Sequence, residues 1–167
     1  VQEILLVEDN PGDARLIREL LVDEIGRAAF SMQIAESLED ALATLESGLP
    51  DVVFLDLSLP DSFGLETLYK LQSRAPALPV IVLTGNEDQQ LALSAVKAGA
   101  QDYMVKNDLS GRLLVKTMKY AQERKAIEAS LRISEARFRS LADLSSDWYW
   151  EQNLQGRLSY LSEGFAE

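Results

Sequence analysis

The sequence predicts an α/β fold: a five-stranded, doubly wound parallel sheet with an extended C-terminal helix. Three observations predict it. Short aliphatic runs alternate five times with stretches of helical spacing, joined by short connections. Two of the runs, Val52-Val53-Phe54-Leu55 and Val80-Ile81-Val82-Leu83, are apolar at every position, as strands covered on both faces must be. The residues that end the runs are carboxylates, a threonine and a lysine, and an open parallel sheet gathers its ligand chemistry at the carboxyl ends of its strands.

The elements follow in order. Ile4 to Val7 is a strand ending at Glu8-Asp9, and Asn10-Pro11-Gly12 breaks the chain before a helix carrying Ala14, Leu16, Ile17, Leu20 and Leu21. Met32 to Ala35 reads as the second strand. Ser37 and Asp40 open the next helix in the manner of a capping box, and Gly48 ends it. The third strand stops at Asp56. A helix runs from Gly64 to Ala75, where Pro76 closes it. The fourth strand stops at Thr84-Gly85, and Asp88 to Ala98 is helical up to Gly99. Asp102 to Val105 is the fifth strand, stopping at Lys106.

From about Leu109 to Leu144 there is no proline, and the helix predicted there would run roughly 50 Å at 1.5 Å per residue. Leu113, Tyr120, Ile127, Ser134 and Leu141 recur every seven residues, with Thr117, Arg124, Leu131 and Phe138 in the alternate seam position. A monomer would leave the later apolar members wet, so a partner helix is expected, and a parallel homodimer through residues 113–144 is preferred to a helix folded back on its own domain. Lys116, Lys119, Arg124, Lys125, Arg132, Arg137 and Arg139 gather on the same stretch. Glu123, Glu128 and Glu135 are interspersed with them, which favours a solvated face over a binding patch. Beyond Asp147, Trp148 to Glu151, a turn at Asn153 to Gly156, and Leu158 to Leu161 read as a hairpin, the opening of a further domain. The expected division is a domain over 1–122, a coiled-coil helix over 123–146 and the start of another domain over 147–167. A first residue of Val rather than Met suggests a piece of a longer protein.

Composition narrows the chemistry. With no Cys and no His there is no thiolate, no imidazole base and no zinc site of the usual kind, so a metal here takes oxygen ligands, which suits Mg2+ or Ca2+. A formal charge of −11 argues against direct nucleic-acid binding. No apolar run is long enough to span a bilayer and no signal peptide opens the chain, from which a cytoplasmic location is expected.

At the strand ends, Glu8, Asp9 and Asp56 would crowd like charges together, each pair at 4 Å costing about 1 kcal/mol in water and about 4 at a protein-surface dielectric. A divalent cation offsets that repulsion, and it can also orient a phosphoryl group for attack by a carboxylate oxygen. Lys106 would supply a point charge to the phosphate oxygens, Thr84 a hydroxyl, and Gly85 room for close approach. Taken singly, each acid after a strand also fits a turn or cap role, and Lys106 a solvated lysine. Together, at the ends of successive strands, they favour an aspartate nucleophile that forms an acyl phosphate.

These residues carry a family resemblance. Ile4 to Asn10, Val53 to Pro60 with Gly64, Val82-Leu83-Thr84-Gly85 and Gly99 to Lys106 together resemble the two-component response-regulator receiver domain, over roughly residues 1 to 122. The expected sheet is then the flavodoxin-like one, of order 2-1-3-4-5. The resemblance implies that Asp56 is the phosphoacceptor, served by a histidine kinase or phosphotransfer protein. It also implies Mg2+ as cofactor, held by Asp9, Asp56 and the backbone carbonyl of Ser58, with Glu8 acting through water. Thr84 and Tyr103 match the switch pair whose hydroxyl moves onto the phosphoryl group while the ring turns inward. Asn107 stands where receivers usually have a cis proline, which implies a looser or differently shaped loop. Ser58 is small enough to admit a hydrolytic water. Leu131 to Glu167, with Ser134 to Leu141 and Asp147-Trp148-Tyr149-Trp150, resembles the lead-in helix and first hairpin of a PAS domain. Rival readings are a receiver used as a phosphorylation-independent dimerisation scaffold and a phosphohydrolase. Ser58 stands where such hydrolases place a second Asp, so turnover of an external substrate is not expected.

Overall fold

The computed structural model describes residues 1–85, 89–144 and 150–161. Its elements run β1 (Gln2–Val7), α1 (Pro11–Ile25), β2 (Phe30–Ala35), α2 (Leu38–Ser47), β3 (Val52–Asp56), β4 (Ser58–Leu59), β5 (Ser62–Phe63), α3 (Leu65–Arg74), β6 (Val80–Thr84), α4 (Gln89–Lys97), β7 (Asp102–Val105), a 3-10 turn over Lys106–Asp108, α5 (Gly111–Leu144), β8 (Trp150–Gln152) and β9 (Leu158–Leu161). The chain forms two compact units, Val1–Lys125 and Ala126–Glu167.

In the first unit five strands pair in parallel in the order β2-β1-β3-β6-β7, which is 2-1-3-4-5 when the main strands alone are numbered. The central strands β3 and β6 are buried on both faces because the sheet is covered twice. Successive side chains of a strand point to opposite faces. Leu5, Val7, Val53, Leu55, Val80 and Val82 pack with Leu38, Ala41, Leu45, Leu68, Leu71 and Ala95 from α2, α3 and α4. Ile4, Leu6, Val52, Phe54, Ile81, Leu83 and Met104 pack with Ala14, Ile17, Leu21, Leu114, Met118 and Ala121 from α1 and α5. Burial of this apolar surface on two faces is the main drive for folding.

Local chemistry starts the first two helices where the sequence predicts. Asn10 caps α1, its side chain accepting from the amides of Gly12 and Asp13, with Pro11 in the first turn. The Ser37 hydroxyl accepts from the Asp40 amide and donates to the Asp40 carboxylate. A second cap on α2 comes from far away in sequence. Asp61, in the turn between β4 and β5, accepts from the amides of Leu38 and Glu39 at 2.9 Å each. Through Asp61 the chain just after Asp56 is tied to the start of α2. The two-residue β4–β5 pairing, antiparallel between Ser58 and Phe63 and between Leu59 and Ser62, is not predicted from the sequence. The Asp88 start predicted for the fourth helix lies outside the described residues.

The structure revises the heptad on α5. Thr117, assigned to the seam, is buried among residues of the first unit, beside Leu114, Met118 and Ala121. The first turns of α5 therefore spend that stripe on the sheet, leaving Leu113 and Tyr120 at the surface. Ile127, Leu131, Phe138 and Leu141 are 50–67% exposed, and so is Ile133, which falls off the seam. Of the basic residues on α5, seven are exposed and Lys125 is partly buried. Arg124 lies 3.8 Å from Asp102. In the second unit β8 and β9 pair antiparallel. Asn153 shapes their turn by accepting from the amides of Gln155 and Arg157, and Arg139 lies over the Tyr160 ring. Trp148 and Tyr149, which the sequence reading placed in this hairpin, lie outside the described residues.

Two predictions follow from the contacts between elements. A Cβ added to Gly111 would overlap the Leu20 carbonyl oxygen and approach Glu24 Cβ to 2.8 Å, so Gly111 is what lets α5 begin against α1. Gly111→Ala should lower unfolding free energy by about 1–3 kcal/mol in urea titration, as overpacking does, and an unchanged midpoint would contradict the close approach. Asp61→Ala should cost about 1 kcal/mol through loss of the α2 cap. The amides of Leu38 and Glu39 hold the Asp61 carboxyl below its ordinary value of 3.8. Its contribution is therefore present above that value and fades as pH falls below it, so wild type and Asp61→Ala should converge in thermal midpoint in acid.

Candidate functional site

β1, β3, β6 and β7 lie side by side, and all four end at the same edge of the sheet. Period-two alternation then decides which side of that edge each residue serves. Glu8 continues the row of Ile4 and Leu6, Asp56 that of Val52 and Phe54, and Lys106 that of Met104, all on the face covered by α1 and α5. Thr84 continues the row of Val80 and Val82, and Tyr103 packs against the core of that opposite face, beneath α2, α3 and α4.

Asp56 is buried and held at both oxygens. Its Oδ1 accepts from the Ser58 amide at 2.9 Å, and its Oδ2 accepts from Lys106 Nζ at 2.6 Å. Lys106 Nζ also stands 2.7 Å from Glu8 Oε2 and 3.0 Å from Asp13 Oδ2. Glu8 Oε1 accepts from the Asn10 amide at 3.1 Å. Its Oε2 is buried, and although it is ion-paired with Lys106 it has no donor in hydrogen-bond geometry.

The electrostatics follow from this crowding. Burial pushes the Glu8 carboxyl up from its ordinary value, helped by the Asp56 charge and opposed by Lys106. Burial alone would lower the Lys106 ammonium, but its contacts with the Asp56, Glu8 and Asp13 carboxylates outweigh it and hold the group charged well above the usual lysine range.

Oxygens of Glu8, Asp9 and Asp56 all lie within 4.8 Å of one another. The donors are hard oxygens, and the buried Glu8 Oε2 lacks a directed donor, so the residues fit a small divalent cation such as Mg2+. This acidic group is of the kind in which receiver domains hold Mg2+.

The structure thus brings together Glu8, Asp9, Asp56 and Lys106, as the sequence predicts. Ser58 is exposed beside Asp56 and reaches it through its amide. The Thr84 hydroxyl is buried and directed toward the Met104 carbonyl at 3.5 Å. Tyr103 is partly buried. Asn107 lies in the 3-10 turn after Lys106, and among the described residues no peptide is cis. Asp13 is the member that sequence reasoning missed. A signal was there: an acid in the first turn of the helix that follows the strand ending in Glu8 lies against the same edge. It is easily taken for a residue that only favours the helix dipole.

Comparison with known proteins agrees with this geometry. The response regulator receiver domain family matches residues 4–118. The virulence transcriptional regulatory protein PhoP of Shigella flexneri is 37% identical over 103 residues, 62% of this chain and 44% of PhoP. The alginate biosynthesis transcriptional regulatory protein AlgB of Pseudomonas putida is 33% identical over 140 residues, 84% of this chain and 30% of AlgB. The chain thus spans less than half the length of these curated relatives. Among solved structures, NtrX of Brucella abortus superposes with a TM-score of 0.68 at 28% identity, covering 83% of this chain and 30% of NtrX. A response regulator receiver domain protein from Clostridium thermocellum gives 0.65 at 27%, covering 76% of this chain and 98% of that one. With its sheet order, its acidic pocket and a match over residues 4–118, the chain belongs to the response regulator receiver domain family of two-component signalling.

Proposed function

We propose that this chain is a phosphoacceptor switch in which Asp56 takes a phosphoryl group from a partner histidine kinase or phosphotransfer protein. The observation that carries the reading is the seating of Asp56: one oxygen on the Ser58 amide, the other on Lys106, within an acidic group of buried Glu8, exposed Asp9 and Asp56 itself. A carboxylate oxygen attacks phosphorus as the bond from phosphorus to the donor imidazole nitrogen breaks. The electron pair returns to the ring, and an acyl phosphate remains on Asp56. Lys106 follows the negative charge from carboxylate to phosphoryl oxygen. Asp9, Asp56 and the Ser58 carbonyl would hold Mg2+, with Glu8 through water. When bound there, the cation supplies charge neutralisation for the phosphoryl oxygens. Water attack on phosphorus later returns the carboxylate and inorganic phosphate, and the exposed Ser58 leaves room for it. No turnover of an external substrate belongs to this scheme.

Thr84 and Tyr103 act as the switch pair. Both lie on the α4 side of the sheet, and a Thr84 hydroxyl held among the described residues by a long 3.5 Å contact with the Met104 carbonyl turns toward Asp56 at little cost. The resulting change at the face of α4, β7 and α5 passes along α5. The module boundaries we assign are 1–122 for the receiver, 123–146 for a coiled-coil signalling helix and 147–167 for the start of a PAS-like domain, supported by the continuous α5 and the β8–β9 hairpin. A second copy covers Ile127, Leu131, Phe138 and Leu141 in a parallel homodimer. The partner kinase and the lack of any helix among the described residues long and apolar enough to cross a membrane support a cytoplasmic place.

Addition of Mg2+ with acetyl phosphate should produce an acid-labile mass increase of one phosphoryl group on the intact protein, absent in Asp56→Asn. An unmodified wild type, or a phosphorylated Asp56→Asn, would refute the acceptor. For the helix, Leu131→Glu should shift the sedimentation mass toward one protomer. A mass already monomeric in the wild type, with and without beryllofluoride, would remove the dimer.

A further inference from the structure

Lys106 carries three N–H donors and stands among three carboxylates, hydrogen-bonded to Asp56 and Asp13 and ion-paired with Glu8. Asp56 Oδ2 at 2.6 Å and Glu8 Oε2 at 2.7 Å are the near ones, on side chains 10% and 0% exposed. Asp13 Oδ2 at 3.0 Å is the far one, on a side chain 33% exposed and carried by a different element, the first turn of α1. A phosphoryl oxygen approaching the ammonium therefore competes with these contacts. Glu8 is buried and also tied to the Asn10 amide, and Asp56 is the acceptor itself. Asp13 is the longest contact and the most readily solvated of the three, so its release costs least.

We infer that Asp13 is a positioning residue that holds Lys106 before phosphorylation and yields it to the phosphoryl group afterwards, thereby setting how strongly the acceptor site favours the phosphorylated state. The inference rests on the reading of Asp56 as phosphoacceptor. Two effects push the same way. The contact with Asp13 must be given up when the ammonium turns to the phosphoryl oxygens, which opposes phosphorylation. Its charge also repels those oxygens, at a point where Glu8, Asp9, Asp13 and Asp56 already outnumber the single ammonium. Asp13 thus acts through Lys106, as a weak counterweight to the acyl phosphate.

The test is beryllofluoride affinity at saturating Mg2+, read by 19F NMR, which also follows weak binding, with the thermal midpoint of each unliganded protein measured beside it. Asp13→Asn and Asp13→Ala should bind roughly three- to tenfold more tightly than wild type, the range expected for losing one partly exposed charge contact. Asp13→Glu should return toward wild type. A residue that only supported α1 would lower the thermal midpoint and weaken binding, so tighter binding without a gain in stability separates the two roles. In a Lys106→Gln background the advantage of Asp13→Asn should shrink to the smaller part that relief of charge repulsion supplies. Unchanged or weaker binding in the Asp13 variants would overturn the inference, as would the same gain in the absence of Lys106. If the wild type itself bound no beryllofluoride, the acceptor reading would fall, and this inference with it. A responsive wild type with indifferent Asp13 variants would sink the inference alone.

Discussion

One ammonium group set among carboxylates organises the functional end of this molecule. Lys106 comes from the end of β7, Asp56 from β3, Glu8 from β1 and Asp13 from α1, and Lys106 Nζ lies within 3.0 Å of all three acids. Like charges brought this close in a partly buried site repel by several kcal/mol if nothing neutralises them. A single lysine offsets only part of that repulsion, which leaves a pocket with an unmet demand for positive charge. The same imbalance makes the site receptive to a divalent cation and keeps Lys106 charged at any ordinary pH.

The sheet makes this arrangement possible by sorting residues twice. Parallel pairing of β1, β3, β6 and β7 brings four strand ends to one edge. The pleat then sends Glu8, Asp56 and Lys106 toward α1 and α5, and Thr84 toward the helices of the other face. Asp56 pairs in register with Leu83, so Thr84 follows at the end of the neighbouring strand. The loop after Asp56 is not free to follow every change, because Asp61 fastens it to the first amides of α2.

Much of this was legible in the linear sequence, for stated reasons. Val52 to Leu55 and Val80 to Leu83 announce buried parallel strands because no alternating polar residue gives them a wet face. Asn10-Pro11 and Ser37 announce helix starts because their side chains or ring geometry suit the first turn. The polar residues that end the strands could be paired as a site because a parallel sheet has only one carboxyl edge. The heptad was misread at Thr117 for an equally physical reason. A seven-residue period does not say which of two surfaces a stripe serves, and in the first turns of α5 the sheet claims it before any partner helix can.

What the sequence by itself determined is therefore the alternation of strand and helix, the doubly buried core and the identities of Glu8, Asp9, Asp56, Thr84 and Lys106 as the residues at the strand ends. Those follow from periodicity and chain direction, which are local properties. The tertiary structure alone decided that Asp13 would share Lys106, that Asp61 would cap a helix more than twenty residues before it, and that Gly111 would admit the Leu20 carbonyl. Each depends on the distance between elements remote in sequence, and that distance is fixed only when both faces of the sheet are packed.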